Sequence, residues 1–319
     1  MTRFLARRVT FGIIVLWGVT TVVFIMYFVA PNDPAHLIAG RQATSETIAA
    51  VRHSLGLDRP LINQYGSYLW RLLHGNLGFS YRNSEPVSRI IGRDLPVTAS
   101  LAVGGAVLWL IIGVVSGVLA ATRPRSLADR TVTGLSLFFY SMPTFLLGEL
   151  FLLVFFYRLH LLGFNFFTVT GYVGFTQDPA EWARHLLLPW FTIALVSAAL
   201  YSRLTRGSML DVLGEDYIRT ARAKGLRERR VVYRHGLRAA VTPIVTQFGI
   251  DLGGLLGGVI VTEQVFGLPG MGKQIVDSIT DQDLPVIIAL VILASAFIVV
   301  ANIIVDALYA VLDPRVRLA

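Results

Sequence analysis

The chain has 319 residues, 54% of them hydrophobic and only 15% charged, with a mean hydropathy of +0.63. A soluble domain of this size carries about a quarter charged residues, so a bilayer is the simplest medium for so much apolar surface. The absence of cysteine excludes a disulfide framework and a cysteine-held metal; the net charge of +8 raises nucleic acid as a partner, a question its distribution along the chain must decide.

Arg3, Arg7 and Arg8 precede an apolar run over Val9–Ala30. The run is longer than a signal-peptide core and does not end in a small-residue cleavage site, so it reads as a retained spanning helix. The segment Pro31–Pro96 follows. Within it, Thr44–Leu55 is expected as a helix capped by Ser45 or Thr44 and stopped by Gly56. Leu61–Leu73 is expected as a second, stopped at His74-Gly75. The aromatic residues Tyr65, Tyr68, Trp70, Phe79 and Tyr81 argue for a small folded cap and against a disordered tether.

Five further runs are long enough to cross a bilayer: Val97–Ala121, Val132–Tyr157, Leu186–Leu204, Thr242–Thr262 and Leu284–Leu312. Pro143 should kink the second of these, and Pro189 would fall in the first turn of the third. The expected fold is therefore an all-α integral membrane protein, a single domain of six spanning helices with a small helical segment after the first. With both termini inside, the segments Met1–Arg8, Thr122–Arg130, Ser202–Arg238 and the tail after Leu312 hold 18 of the 28 basic residues. The outer loop Gln264–Asp283 holds only Lys273, beside Asp277, Asp281 and Asp283. This is the positive-inside distribution. The seven arginines of Pro31–Pro96 sit in a segment too long to count in that rule. The basic character thus follows topology and does not point to nucleic acid.

Between the runs Leu186–Leu204 and Thr242–Thr262, Glu215 and Asp216 open a short helix at its positive dipole end. Arg222 and Lys224 lie in its last turn, and Gly225 can take a left-handed stop. A second short helix is expected over Arg227–His235, ending at Gly236. Tyr217, Ala221 and Gly225 are spaced to share one face, where small residues would let a partner approach. The residues Asp216, Tyr217, Arg219, Thr220, Ala221, Lys224, Gly225 and Leu226 are the candidate coupling site. A basic loop that only sets topology would need neither the acidic start nor the glycine stops.

Glu149, Asp251 and Asp306 fall inside expected spans. Ionisable residues there are candidates for a translocation path, with pairing across the bundle as the bland alternative. Gly253 with Gly257, and Gly254 with Gly258, permit close helix packing. Gly267-Leu-Pro-Gly-Met-Gly-Lys273 nearly matches a phosphate-binding loop, and Val259–Thr262 before it reads like a strand. Gln274 replaces the hydroxyl that would hold magnesium, however, and the topology places the turn outside.

The segment Asp216-Tyr-Ile-Arg-Thr-Ala-Arg-Ala-Lys-Gly-Leu226, followed by Arg234-His-Gly-Leu-Arg238 and Pro243, resembles the EAA loop of ATP-binding-cassette importer permeases, in the dipeptide/oligopeptide/nickel group. Leu55–Pro60, Gly75–Tyr81, Ser141–Gly148, Glu263 and Pro269–Gly272 extend the resemblance along nearly the whole chain, and the long segment after the first helix is like that of the group's first permease subunit. Asn76 and Asp251 depart from the group's usual residues. The resemblance implies a multi-pass subunit of a bacterial cytoplasmic (inner) membrane that is not an enzyme. It implies a second permease, two cytoplasmic ATPases that bind ATP and magnesium, and an outer solute-binding protein. No cofactor belongs to this chain on that reading. Peptides are the expected solutes, with nickel chelates and haem as alternatives. A secondary transporter or a membrane scaffold without ATPase partners is the rival class; the first would require repeats and dense intramembrane charge, and the second would leave the short helix unexplained.

Overall fold

The computed structural model describes residues 2–26, 35, 43–54, 56–80, 82–164, 166–167 and 171–312, and these are overwhelmingly helical. In chain order they form α1 (Thr2–Phe24), α2 (Ser45–Ser54), α3 (Leu61–Leu73), a two-stranded hairpin β1 (Phe79–Ser80) and β2 (Glu85–Pro86), α4 (Val87–Thr122), α5 (Leu127–Ser141), α6 (Thr144–Phe151), α7 (Pro179–Leu213), α8 (Asp216–Ala223), α9 (Arg238–Phe266), α10 (Met271–Thr280) and α11 (Leu284–Leu312). Five helices in α1, α4, α6 with its continuation, α7 and α11 are long and apolar enough to cross a membrane. Part of the first expected span, residues 27–30, lies outside the described residues.

The described residues fall into two compact units. One takes in those between 2 and 95 and between 274 and 303, the other those between 96 and 273 and between 304 and 312. In the first, Val23 and Phe24 of α1 pack with Tyr68 of α3 and Ile288 of α11, and the Tyr65 hydroxyl lies 2.6 Å from that of Thr21. Gly12 brings α1 close to α11, since a Cβ there would sit 2.6 Å from Val299 Cγ1. The buried Ser80 of β1 donates to Asp283, just before α11. The hairpin is a finding; two-residue strands leave no alternating pattern to read in a sequence.

The second unit is built on glycine. Along α4, Gly113 and Gly117 let α7 approach until a Cβ would lie 2.5 Å from Tyr201 Cβ and 2.6 Å from the Ser202 carbonyl, respectively. Gly104 holds the Trp190 ring in the same way. This is how spanning helices associate where no hydrophobic drive exists between them. The opposite flank of α4 exposes Val103, Val107, Ile111, Val115 and Leu119, each four residues from the next. Such an exposed apolar stripe suits lipid and not water.

Three expectations about element boundaries are corrected. Pro143 does not kink a helix over 132–157; it breaks it. Met142 is extended and Pro143 caps a new helix, α6, because proline lacks a donor and its ring disfavours helical backbone in the residue before it. The helix then widens to π-type turns over Leu152–Arg158. Pro189 is not in a first turn: α7 begins at Pro179, where Asp178 accepts from the N–H groups of Ala180 (2.9 Å) and Glu181 (3.1 Å). Finally, no helix ends at Gly236. Glu228–Arg230 runs through π-type turns over Val231–Leu237 directly into α9. By contrast α2 and α3 form where expected, and α11 has the expected bounds.

Candidate functional site

The short helix α8 stands between two long ones and is closed at its C-terminus by a Schellman motif. Gly225 N–H donates to the Arg222 carbonyl (2.9 Å) and Leu226 N–H to that of Ala221 (3.4 Å). Gly225 is left-handed, with φ +74°. This satisfies carbonyls that a helix end would leave orphaned, and glycine is the residue that enters this region without a Cβ penalty. Glu215 occupies the cap position at the other end but makes no side-chain capping bond there.

One side of α8 is its mount. Ile218, Ala221 and Val231 form a buried cluster, with Val212, Leu213 and Leu226 packed against it. Gly236 is buried too, and a Cβ on it would lie 3.3 Å from Met209 Cε and 3.4 Å from Leu213 Cδ2. Its smallness serves packing of the entry to α9 against α7. The expectation that Ala221 presents a small contact face is therefore revised. Ala221 is 8% exposed and faces its own chain. The exposed side instead carries Asp216, Arg219, Thr220 and Ala223, flanked by Tyr217 and Lys224. Arg219 pairs with Asp216 at 3.3 Å, and Arg222 grips Glu228 through both nitrogens at 2.8 and 3.2 Å. The second pair draws Glu228 below the ordinary carboxylate range. Both pairs are solvent-exposed, so each contributes at most about 1 kcal/mol. The first lies within α8, and only the second ties the helix to the segment that follows it.

A stronger tie lies close by. Asp129, in the first turn of α5, accepts from Arg206 Nε (2.6 Å) and Nη2 (2.9 Å) of α7, and from Arg125 N–H (2.9 Å). The guanidinium, then that backbone donor, hold its carboxyl at about 2. The pair thus stays ionised across physiological pH. Sequence reasoning missed it, because residues 77 positions apart leave no local pattern.

The candidate path residues are dispersed. On α9, Asp251 accepts from the Tyr201 hydroxyl of α7 (2.8 Å) and from Gln247 Nε2 (2.9 Å). Glu149 is exposed on α6, next to Gly148, whose bare Cα packs on Val265 and Phe266. No hydrogen bond or ion pair joins Glu149 to Asp251 among the described residues. Asp306 is in α11, but its side chain lies outside the described residues, as do the surroundings of Gly253, Gly254, Gly257 and Gly258 on α9.

The glycine-rich turn after α9 is organised around an acid. Gly267 ends α9 in the left-handed region (φ +61°), and Leu268 N–H returns to the Glu263 carbonyl at 2.9 Å. Glu263 is fully buried. Its carboxylate accepts from Thr98 Oγ1 (2.6 Å) and from Lys273 N–H (2.9 Å), while Thr98 Oγ1 accepts from Met271 N–H (2.8 Å). A Cβ on Gly270 would collide with that carboxylate, and one on Gly272 would come within 2.6 Å of Ile260 Cα. The segment before the turn is helix and not strand, and the N–H groups of Met271 and Lys273 that a phosphate would need are taken by Thr98 and Glu263. The resemblance to a nucleotide loop is therefore one of spelling only. Nothing short of the folded turn could assign Glu263 this part.

Residues 113–318 match the family described as the inner membrane component of binding-protein-dependent transport systems, and residues 1–102 match its N-terminal membrane component. The chain is 40% identical over 317 residues, 99% of each chain, to a protein of Brucella abortus named for a peptide transport system permease. It is 37% identical over 341 aligned positions, again 99% of each chain, to the dipeptide transport system permease protein DppB of Escherichia coli. A probable peptide permease of Sinorhizobium fredii is 38% identical over 314 residues, which cover 98% of this chain and 99% of that one. The chain therefore belongs to the binding-protein-dependent transport family as its inner-membrane component, a transport permease and not an enzyme.

Proposed function

We propose that the chain is one of two permease subunits of an ATP-driven peptide importer, and that α8 is the element gripped by a cytoplasmic ATPase. The observation that carries this reading is α8 itself. It is an eight-residue helix with an exposed polar face, mounted through Ile218, Ala221 and Val231 on two long helices. A push on such a knob moves the helices that carry it and is not absorbed in a flexible loop. Asp216, Tyr217, Arg219, Thr220 and Lys224 would meet the ATPase; Ala221 and Leu226 would hold the mount, and Gly225 would set the turn. ATP and magnesium would be held by two such ATPases, while an outer binding protein would deliver the solute. Dipeptides or longer peptides are the solute class, from the full-length likeness to peptide and dipeptide permeases.

On this reading α9 is a further span, giving six, with both termini inside, the segment 31–96 outside and the segment 205–240 in the cytoplasm. In vesicles holding the complete importer, labelled dipeptide should accumulate only with ATP and the binding protein. Uptake driven by an ion gradient without ATPases would favour a secondary transporter, and no uptake at all would favour a scaffold. Topology is separately measurable because the chain has no native cysteine. Asn83 and Arg229 are both exposed. A cysteine at position 83 should react with an impermeant thiol reagent outside intact cells, and one at position 229 only after the membrane is opened. Reversed labelling would overturn the orientation.

A further inference from the structure

We propose that Asp251 is a cation-recognition site of the translocation path, which takes the side-chain ammonium of a basic residue in the solute and so favours peptides that carry one. The inference rests on the importer reading above and adds a specificity to it. Asp251 is one residue from the midpoint of the 29-residue α9, where an ionised side chain persists only beside a partner or a water-filled cavity. Its hydrogen bonds come from two neutral donors, the Tyr201 hydroxyl at 2.8 Å and the Gln247 amide at 2.9 Å, one to each carboxylate oxygen. Ionised carboxylates accept at about four positions, so each oxygen keeps unused capacity. Among the described residues the arginine–carboxylate pairs lie elsewhere, as at Arg206–Asp129 and Arg222–Glu228, and no cation reaches Asp251. Tyr201 is completely buried, so it fixes the carboxylate, whereas Asp251 itself is only half-buried and remains approachable. Among the described residues the carboxylate is thus held in place with no cation beside it.

The surroundings suit an organic cation better than a metal ion. No group of three or more metal-ligating side chains is found among the described residues. One aromatic ring is within reach instead: Phe248 is half-buried, and the buried Trp109 ring, 5.8 Å from it and 5.9 Å from that of Tyr201, backs it from the core. Phe248 is three residues before Asp251 and on the same flank of α9. Ring faces attract ammonium groups, and a carboxylate adds a charge-assisted hydrogen bond.

The test compares ATP-driven uptake of alanyl-lysyl-alanine with that of the same peptide acetylated on the lysine nitrogen, in vesicles holding the complete importer. The wild type should favour the basic peptide. Asp251→Asn should lower the ratio of the two rates by about tenfold, as expected for one lost hydrogen bond to a charged group, and Asp251→Glu should keep most of it. Preference imposed by the binding protein is common to all variants and cancels. A ratio unchanged in Asp251→Asn, whether uptake as a whole holds or falls, would show that the carboxylate only braces α9 against α7. Uptake of the acetylated peptide by the wild type tests the importer reading alone, so an unchanged ratio sinks only the assignment of Asp251.

Discussion

Gly225→Leu is expected to insert normally and to lose ATP-driven uptake by roughly tenfold or more, a coupling change above about 1.4 kcal/mol. Gly225 is held at φ +74°, where a side chain costs about 1–2 kcal/mol. That strain is local, because no heavy atom beyond the neighbouring residues lies within 4 Å of a Cβ built there. The side chain would therefore start into open space, and a defect well beyond the strain points to a partner outside the chain. Gly225→Ala carries the same strain with far less bulk and should retain more uptake. Arg229→Gln, on the exposed turn beyond, should have a small effect. Ala221→Arg is a poorer probe than its spacing suggests. Ala221 is buried against Ile218 and Val231, so a charge there would unseat α8 whether or not a partner exists. The measurements are uptake in reconstituted vesicles and copurification of the ATPases. Wild-type uptake by Gly225→Leu would remove α8 as the coupling element.

Glu263→Ala should be the most damaging single change outside α8. It leaves the buried Thr98 hydroxyl and the part-buried Lys273 N–H without their acceptor. Each orphaned group costs about 1–3 kcal/mol, and the vacated volume adds to that. Glu263→Gln should recover only part, since its amide nitrogen would face one of the two donors. Gly272→Ala attacks the same assembly from the other side. Its Cβ would lie 2.6 Å from Ile260 Cα, main chain that cannot swing away, and overpacking of this kind costs about 1–3 kcal/mol. The readouts are thermal unfolding of the purified chain in detergent and tryptic cleavage after Lys273. A Glu263→Ala protein that melts with the parent and resists trypsin equally would mean that the turn does not depend on this carboxylate.

Much of this protein is determined by the sequence alone, for two reasons. A bilayer accepts only backbone that satisfies itself, so an apolar run of sufficient length is helical except where, as at Pro143, its own residues break it. Local chemistry does the rest: Pro60 and His74-Gly75 bound α3, and Gly225 can end α8 because the backbone asks nothing of distant residues to turn left-handed there. The start of α7 is likewise local, in Asp178-Pro179, a cap and a first-turn proline that precede the apolar run. What tertiary structure decided is which side of each helix is used. Spacing puts Tyr217, Ala221 and Gly225 in one row, yet Ala221 turns inward because Val231, ten residues on, supplies the apolar surface against it. Gly236 reads as a stop and is a packing contact for the same kind of reason, set by Met209 and Leu213. Asp251 and Glu263 are isolated acids in the sequence. Their roles depend on Tyr201, Thr98 and Lys273, which reach them only when the chain folds back. Hydrogen bonds act over about 3 Å of space and carry no trace of the sequence separation they span.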